Sequence, residues 1–168
     1  MVKTTIKSGK DNLYSMEQSL KALNGRKVNV GHLDGGEQAW LAAIHEYGCD
    51  IEITPKMRVW LHANGLHVKK STTHIHIPER SFLRSGFDEN HEKVIDKCRS
   101  ALKKSLDSGD AEIYLEAVGL LLRDAIVDYA VELKEPPKHP FSIEMNPSKT
   151  NPLIISGDMI EALTYEVE

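Results

Sequence analysis

Apolar and polar residues change rhythm across the stretch Ile77-Pro78-Glu79-Arg80-Ser81-Phe82-Leu83-Arg84. Upstream the apolar residues alternate with polar ones, and downstream they recur every third or fourth position, so the period passes from about 2 to about 3.6. A β-rich first half therefore hands over to a helical second half. Pro78 lacks the N–H that a ladder needs and ends the strand Ile75-His76-Ile77. Ser85, three residues before Asp88, has capping-box-like spacing and predicts a helix from about Gly86 or Phe87.

Two helices precede this junction. Leu13, Met16, Leu20 and Leu23 form one helical stripe, stopped by Asn24-Gly25. Trp40, Leu41, Ala43, Ile44 and Tyr47 crowd one side of a second helix over 37–47, with Gly48 as its cap. Between them Val28 and Val30 alternate in a half-buried strand that ends before Asp34-Gly35-Gly36. Ile51 and Ile53 alternate up to Pro55, and Met57, Val59 and Leu61 alternate against Arg58, Trp60 and His62. Asn64-Gly65 tolerates the positive φ of a type I′ turn, so residues 55–77 read as a projecting β-hairpin arm, with His62 opposite His67 and a bulge within 69–73.

Beyond the junction, Phe87, Val94, Ile95, Cys98, Ala101, Leu102 and Leu106 predict a third helix ending at Ser108-Gly109. Asp110 restarts the chain, and residues 113–133 are apolar on several faces, as suits a central helix antiparallel to the third. Pro136, Pro137, Pro140, Pro147 and Pro152 predict a mobile, proline-rich loop over 135–152. A short helix near Met159 and a closing strand with Tyr165 and Val167 complete the chain. The predicted class is α+β: a small, mostly antiparallel sheet on a long antiparallel helix pair, in one domain over residues 1–168.

Composition narrows the function classes. At 168 residues the chain suits one domain with its own core. A formal charge of −4, with no long run of one sign, argues against a protein devoted to gripping nucleic acid. Cys49 and Cys98 lack CxxC spacing and fit free thiols made in a reducing cytoplasm. The segment Met1-Val2-Lys3-Thr4-Thr5-Ile6-Lys7 has no apolar core for a secretion signal. Nor does any stretch approach the roughly 20 apolar residues of a membrane span, so no membrane partner is expected.

Several constellations invite chemistry. His74 and His76 share a strand face, with His62, His67 and Glu52 as potential neighbours, and converging imidazoles suit zinc. Against that, an exposed arm tolerates histidine and the spacing matches no metal motif. His45-Glu46 opens like HExxH, but Cys49 stands where the second histidine belongs. A thiol nucleophile at Cys49 or Cys98 has no pKa-lowering neighbourhood in the sequence, and Cys98 on a helix stripe reads as a small core hydrophobe. Residues 30–36, VGHLDGG, lack the endings of a phosphate loop and read as a turn. Arg80 and Arg84, four residues apart at a helix start, have the geometry to hold a neighbouring subunit's carboxylate. Lys56, Arg58, Lys69 and Lys70 surround Trp60, which reads as an interface anchor.

Three segments, in order, resemble phage tail-completion proteins, the virion-morphogenesis or minor tail protein family of the neck. They are residues 42–48 (AAIHEYG), 77–84 (IPERSFLR) and 152–167 (PLIISGDMIEALTYEV). The family pattern is a helix ending in HE-aromatic-G, an IPxRxFLR segment opening a long helical pair, and a closing PLI segment followed by a strand. Two departures are the long connection over 55–73 and Ile155, where many members carry aspartate. The resemblance implies a small α+β protein that docks as a ring of copies of itself, a sixfold hexamer like the tail. Its partners would be the tail terminator or tube on one side and the head connector on the other, with DNA only as passing cargo. It implies a virion location after synthesis in a bacterial host, no catalytic residue, no cofactor and no metal.

The leading expectation is thus a structural head–tail joining protein, with Trp60, Arg58, Arg80, Arg84, Pro136 and Pro137 as candidate interface residues. The alternative is a small histidine-dependent metal-binding protein or enzyme, and a nucleic-acid-binding regulator is a further rival. Neither rival has a motif behind it.

Overall fold

The apolar run after Asp110 forms the helix on which the rest of the molecule packs. In the computed structural model, which describes residues 9–168 and their side chains from Leu13 onward, the order is α1 (Gly9–Leu23), β1 (Val28–Gly31), α2 (Glu37–Tyr47), β2 (Cys49–Glu52), α3 (Pro55–Ala63) and β3 (His74–Ile77). There follow α4 (Phe82–Lys97), α5 (Arg99–Ser108), α6 (Glu112–Glu132), α7 (Pro140–Met145), α8 (Asp158–Glu161) and β4 (Thr164–Val167). The expectation about residues 1–7 lies outside the described residues. No helix among the described residues is long and apolar enough to cross a membrane.

Leu115, Leu122, Ile126 and Ala130 form the buried stripe of α6, at the i, i+4 and i+7 spacings of one helical face. Against it lies α4, antiparallel, with Gly86 beside Ile126 and Cys98 near Tyr114 at the other end. Gly86 permits this approach: a methyl there would sit 3.3 Å from the Ile126 Cα. Phe82, fully buried, plugs the start of the pair, a burial worth roughly 2–3 kcal/mol. Met159, Ile160 and Leu163 close the same core from the C-terminal segment.

The strands form two antiparallel pairs where a single sheet was expected. β1 pairs with β4, Val28 opposite Val167, and β2 with β3, Cys49 opposite Ile77. The first pair rests on α6 because Gly119 leaves room for the Tyr165 ring. α1 is held to α5 where two buried serines meet, Ser19 Oγ donating to the Ser105 carbonyl at 2.7 Å. The α+β class and the antiparallel helix pair stand.

Three expected elements take another form. Residues 55–63 are helix, so there is no hairpin arm at 55–77. Thr54 caps α3 by accepting from Met57 N, and Pro55 sits at its start with φ already suited to a helix. Asn64-Gly65 makes no I′ turn: Gly65 N donates to His62 O and Leu66 N to Leu61 O, a Schellman cap with Gly65 at φ +93°. The strand β3 pairs instead with β2. The third helix begins at Phe82, earlier than the Ser85–Asp88 spacing predicts, and breaks at Cys98 into α4 and α5. The proline-rich segment contains α7 and is tied down on both sides. Asn151 Nδ2 donates to the carbonyls of Ala130, Val131 and Leu133, at the end of α6.

Candidate functional site

The sequence junction at 77–84 is also a junction in space. α2 stops at Gly48, whose φ of +71° turns the chain into β2. The stop is tight, because a methyl on Gly48 would lie 2.9 Å from both Glu79 N and Ile77 O. The end of α2 is thereby held against the strand exit, and Arg80 N donates to His45 O at 2.6 Å.

Glu46, 2 % exposed, projects from α2 onto the first turn of α4. Its carboxylate accepts from Leu83 N at 2.9 Å, Arg84 N at 3.0 Å, Ser81 Oγ at 3.0 Å and Arg84 Nε at 2.9 Å. A helix start leaves unpaired N–H groups and a partial positive charge, and a carboxylate answers both. The helix therefore needs no local cap, and Ser81 itself makes no side-chain capping bond. Arg84 completes the joint, with Nη2 donating to Glu46 O at 2.9 Å and Glu79 Oε1 at 2.7 Å and the guanidinium stacked 4.8 Å above the Tyr47 ring. Its hydrogen bond to Glu46 raises the Arg84 pKa further.

Arg80 is turned the other way and is 5 % exposed. Nε donates to Pro136 O at 2.7 Å and Nη2 to Pro137 O at 2.8 Å, while Nη1 lies 3.5 Å from His45 Nδ1. Next to these prolines Lys138, 8 % exposed, donates to the carbonyls of Lys149 and Ile154 at 2.8 and 2.9 Å. Among the described residues no carboxylate lies within ion-pair distance of Arg80 or Lys138. Burial pushes both pKa values down, and Arg80 lowers that of Lys138 further. Burial and these two cations hold His45 near a pKa of about 4, so it is neutral at physiological pH.

The expected interface residues thus separate. Arg80 and Arg84 share one segment but not one carboxylate, and the carboxylates that Arg84 holds belong to this chain, not to a neighbouring subunit. Pro136 and Pro137 contribute carbonyls to Arg80. Arg58 is occupied within α3's own neighbourhood, donating to the carbonyls of Val68, Lys69 and Thr72 at 2.6–3.2 Å. Trp60 is 53 % exposed and meets Phe141 of α7 edge-on at 6.5 Å between ring centres.

His62 and His67 do come together, 4.3 Å between rings, across the Schellman turn. His76 pairs with Asp50 at 2.8 Å, and His74 stands opposite Glu52 in the β2–β3 register. No group of three or more His, Cys, Asp or Glu placed to hold a metal occurs among the described residues. Cys98 is buried in the core and its thiol pKa is pushed up, which disfavours the thiolate. The residues that reading the sequence underrated are Glu46, His45 and Lys138. Glu46 and His45 carried a signal in the HEYG segment, whereas a lysine among prolines carried none. Compared with family models, curated proteins and solved structures, the chain matches none.

Proposed function

We propose that the chain is a structural assembly protein of a phage or prophage neck, a tail-completion component that joins the tail to the head connector as a ring. One observation carries this reading: the first two segments on which the resemblance rests meet in one joint, and the third packs on the helix that carries the first. Glu46 and His45 of the first bind Ser81, Leu83, Arg84 and Arg80 of the second. The third reaches α2 through α8. Segments that define a scaffold are expected to pack together in this way.

The chemistry of the joint favours a scaffold over a reaction centre. Both Glu46 oxygens are spent on the α4 start, Arg84 is engaged by Glu46 and Glu79, and α2 also carries two exposed aromatic residues, Tyr47 at 67 % and Trp40 at 66 %. Exposed aromatic residues suit protein contacts. A ring requires two unlike surfaces on each copy. A net charge of −4 suits a conduit that must let DNA pass without holding its phosphates.

The test is to omit this protein during virion production and examine the particles. Filled heads and finished tails that accumulate unjoined are expected, with joining restored by supplying the protein in trans. Normal particles in its absence would overturn the proposal, as would turnover of a substrate by the purified chain that a single histidine or cysteine replacement abolishes.

A further inference from the structure

A cavity of about 540 Å³ opens beside Arg80 and Lys138, between α2, the β2–β3 pair and the segments around α7 and α8. Leu41, Ile75, Ile77, Leu153 and Met159 give it an apolar wall. His45, His76, Arg80, Lys138 and His139 stand in that wall with Ser142 and Ser156, and none of the described residues lining it is acidic. Its size falls in the range of small-molecule sites, roughly 300–1,000 Å³, and a mostly apolar lining with few convergent polar groups is their usual character.

The charges in this wall are unbalanced. Arg80 uses Nε and one Nη2 hydrogen on carbonyls and one Nη1 hydrogen on the His45 ring, and Lys138 uses two of its three N–H bonds on carbonyls. Spare donors remain on both. Carbonyl dipoles satisfy hydrogen bonds without cancelling charge, and two like charges in a low-dielectric wall repel each other. Burial first, and their field after it, disfavour a third positive charge on His45.

We propose that this cavity is a binding site for a small amphiphilic monocarboxylate, its headgroup on the spare N–H donors of Arg80 and Lys138 and its hydrocarbon body on the apolar wall. The apolar wall excludes a fully hydrated ion such as inorganic phosphate. This site is independent of any role in virion assembly.

Calorimetric titration of the purified full chain with decanoate, decanol and decylammonium, each below its aggregation threshold, tests it. Saturable one-to-one binding of decanoate is expected, with decanol weaker by about tenfold or more. Decylammonium should not bind, and inorganic phosphate should not compete. Lys138→Met should weaken decanoate by about tenfold and leave decanol unchanged, which separates this cavity from any apolar surface elsewhere. Equal affinities across the three headgroups, displacement by phosphate, or no decanoate binding at all would each overturn the proposal. If Lys138→Met does not fold, the headgroup series on the unaltered chain decides alone.

Discussion

Arg80 and Arg84 are four residues apart, both held against α2, and they end in opposite electrostatic situations. Arg84 meets the buried Glu46 and the exposed Glu79, so its charge and its hydrogen bonds are both answered. Arg80 is more deeply buried yet meets only uncharged acceptors, two carbonyls and the neutral His45 ring, with Lys138 adding a second positive charge beside it. The contrast shows that satisfying donors and neutralising charge are separate tasks. A joint that does both is closed, whereas one that does only the first leaves a field for something outside the chain to answer.

The closed side should break most expensively. Glu46→Ala strips Leu83 N, Arg84 N and Ser81 Oγ of their acceptor, a loss of about 4 kcal/mol at roughly 1–2 kcal/mol for each part-buried donor left unpaired, while the half-exposed Arg84 keeps Glu79 and the Glu46 carbonyl. Urea unfolding of the variant is expected to show that loss, with Glu46→Gln in between because it still accepts. A change below about 1 kcal/mol would show that α4 starts without help from α2.

The open side should reveal itself in acid. His45 has a folded pKa of about 4 against its ordinary 6.5, so the unfolded chain takes up a proton that the folded chain refuses. Its contribution is fully present above pH 6.5 and is lost as the pH falls from 6.5 toward 4, by about 2 kcal/mol once solvent screening of the part-exposed ring is allowed for. Carboxylates titrate in part of this window too, so the informative quantity is the difference from His45→Gln. Stability curves of the two proteins should diverge across it, and Lys138→Met should shrink the divergence by removing one of the charges that depress His45. Parallel curves would show that the two cations exert no such field.

Gly48 supports both arginines at once, because it seats α2 against the strand exit at Ile77 and Glu79. Gly48→Ala adds left-handed strain and a close approach to two backbone atoms, together about 2 kcal/mol. Thermal unfolding should show that loss. Decanoate affinity should fall with it, since the cavity shares this support.

What the sequence made legible follows the same division between local and distant causes. α2 and β1 were readable because period, turn residues and the Gly48 stop all lie within a few residues of one another. α3 was misread although its signals were local: Thr54-Pro55 is a helix start and Asn64-Gly65 is as good a helix stop as a hairpin turn, while the alternation of Met57, Val59 and Leu61 pointed to a strand. In fact Leu61 is the residue α3 buries, and Val59 faces solvent. The start of α4 was not legible locally, because its cap is a carboxylate 37 residues before Leu83. Arg80 and Arg84 stood out as candidate interface residues, but the partners they hold lie within this chain, on α2 and beyond α6 as well as at Glu79, and no spacing rule connects the distant ones.

Trp60 gives the smallest effect on the fold and the sharpest test of where the chain touches others. It is half exposed and its one ring contact is edge-on with Phe141, so Trp60→Ala should cost about 1 kcal/mol or less. It leaves Arg80, Lys138 and Glu46 untouched, so decanoate affinity and the acid response should stay as they were. If α3 carries an assembly contact, particle joining should nevertheless fall sharply, because a large aromatic anchor at an interface centre is worth at least about 2 kcal/mol. Normal joining with this variant would remove Trp60 from the interface and leave the exposed Trp40 and Tyr47, on the helix that also holds Glu46, as the aromatic face to mutate next.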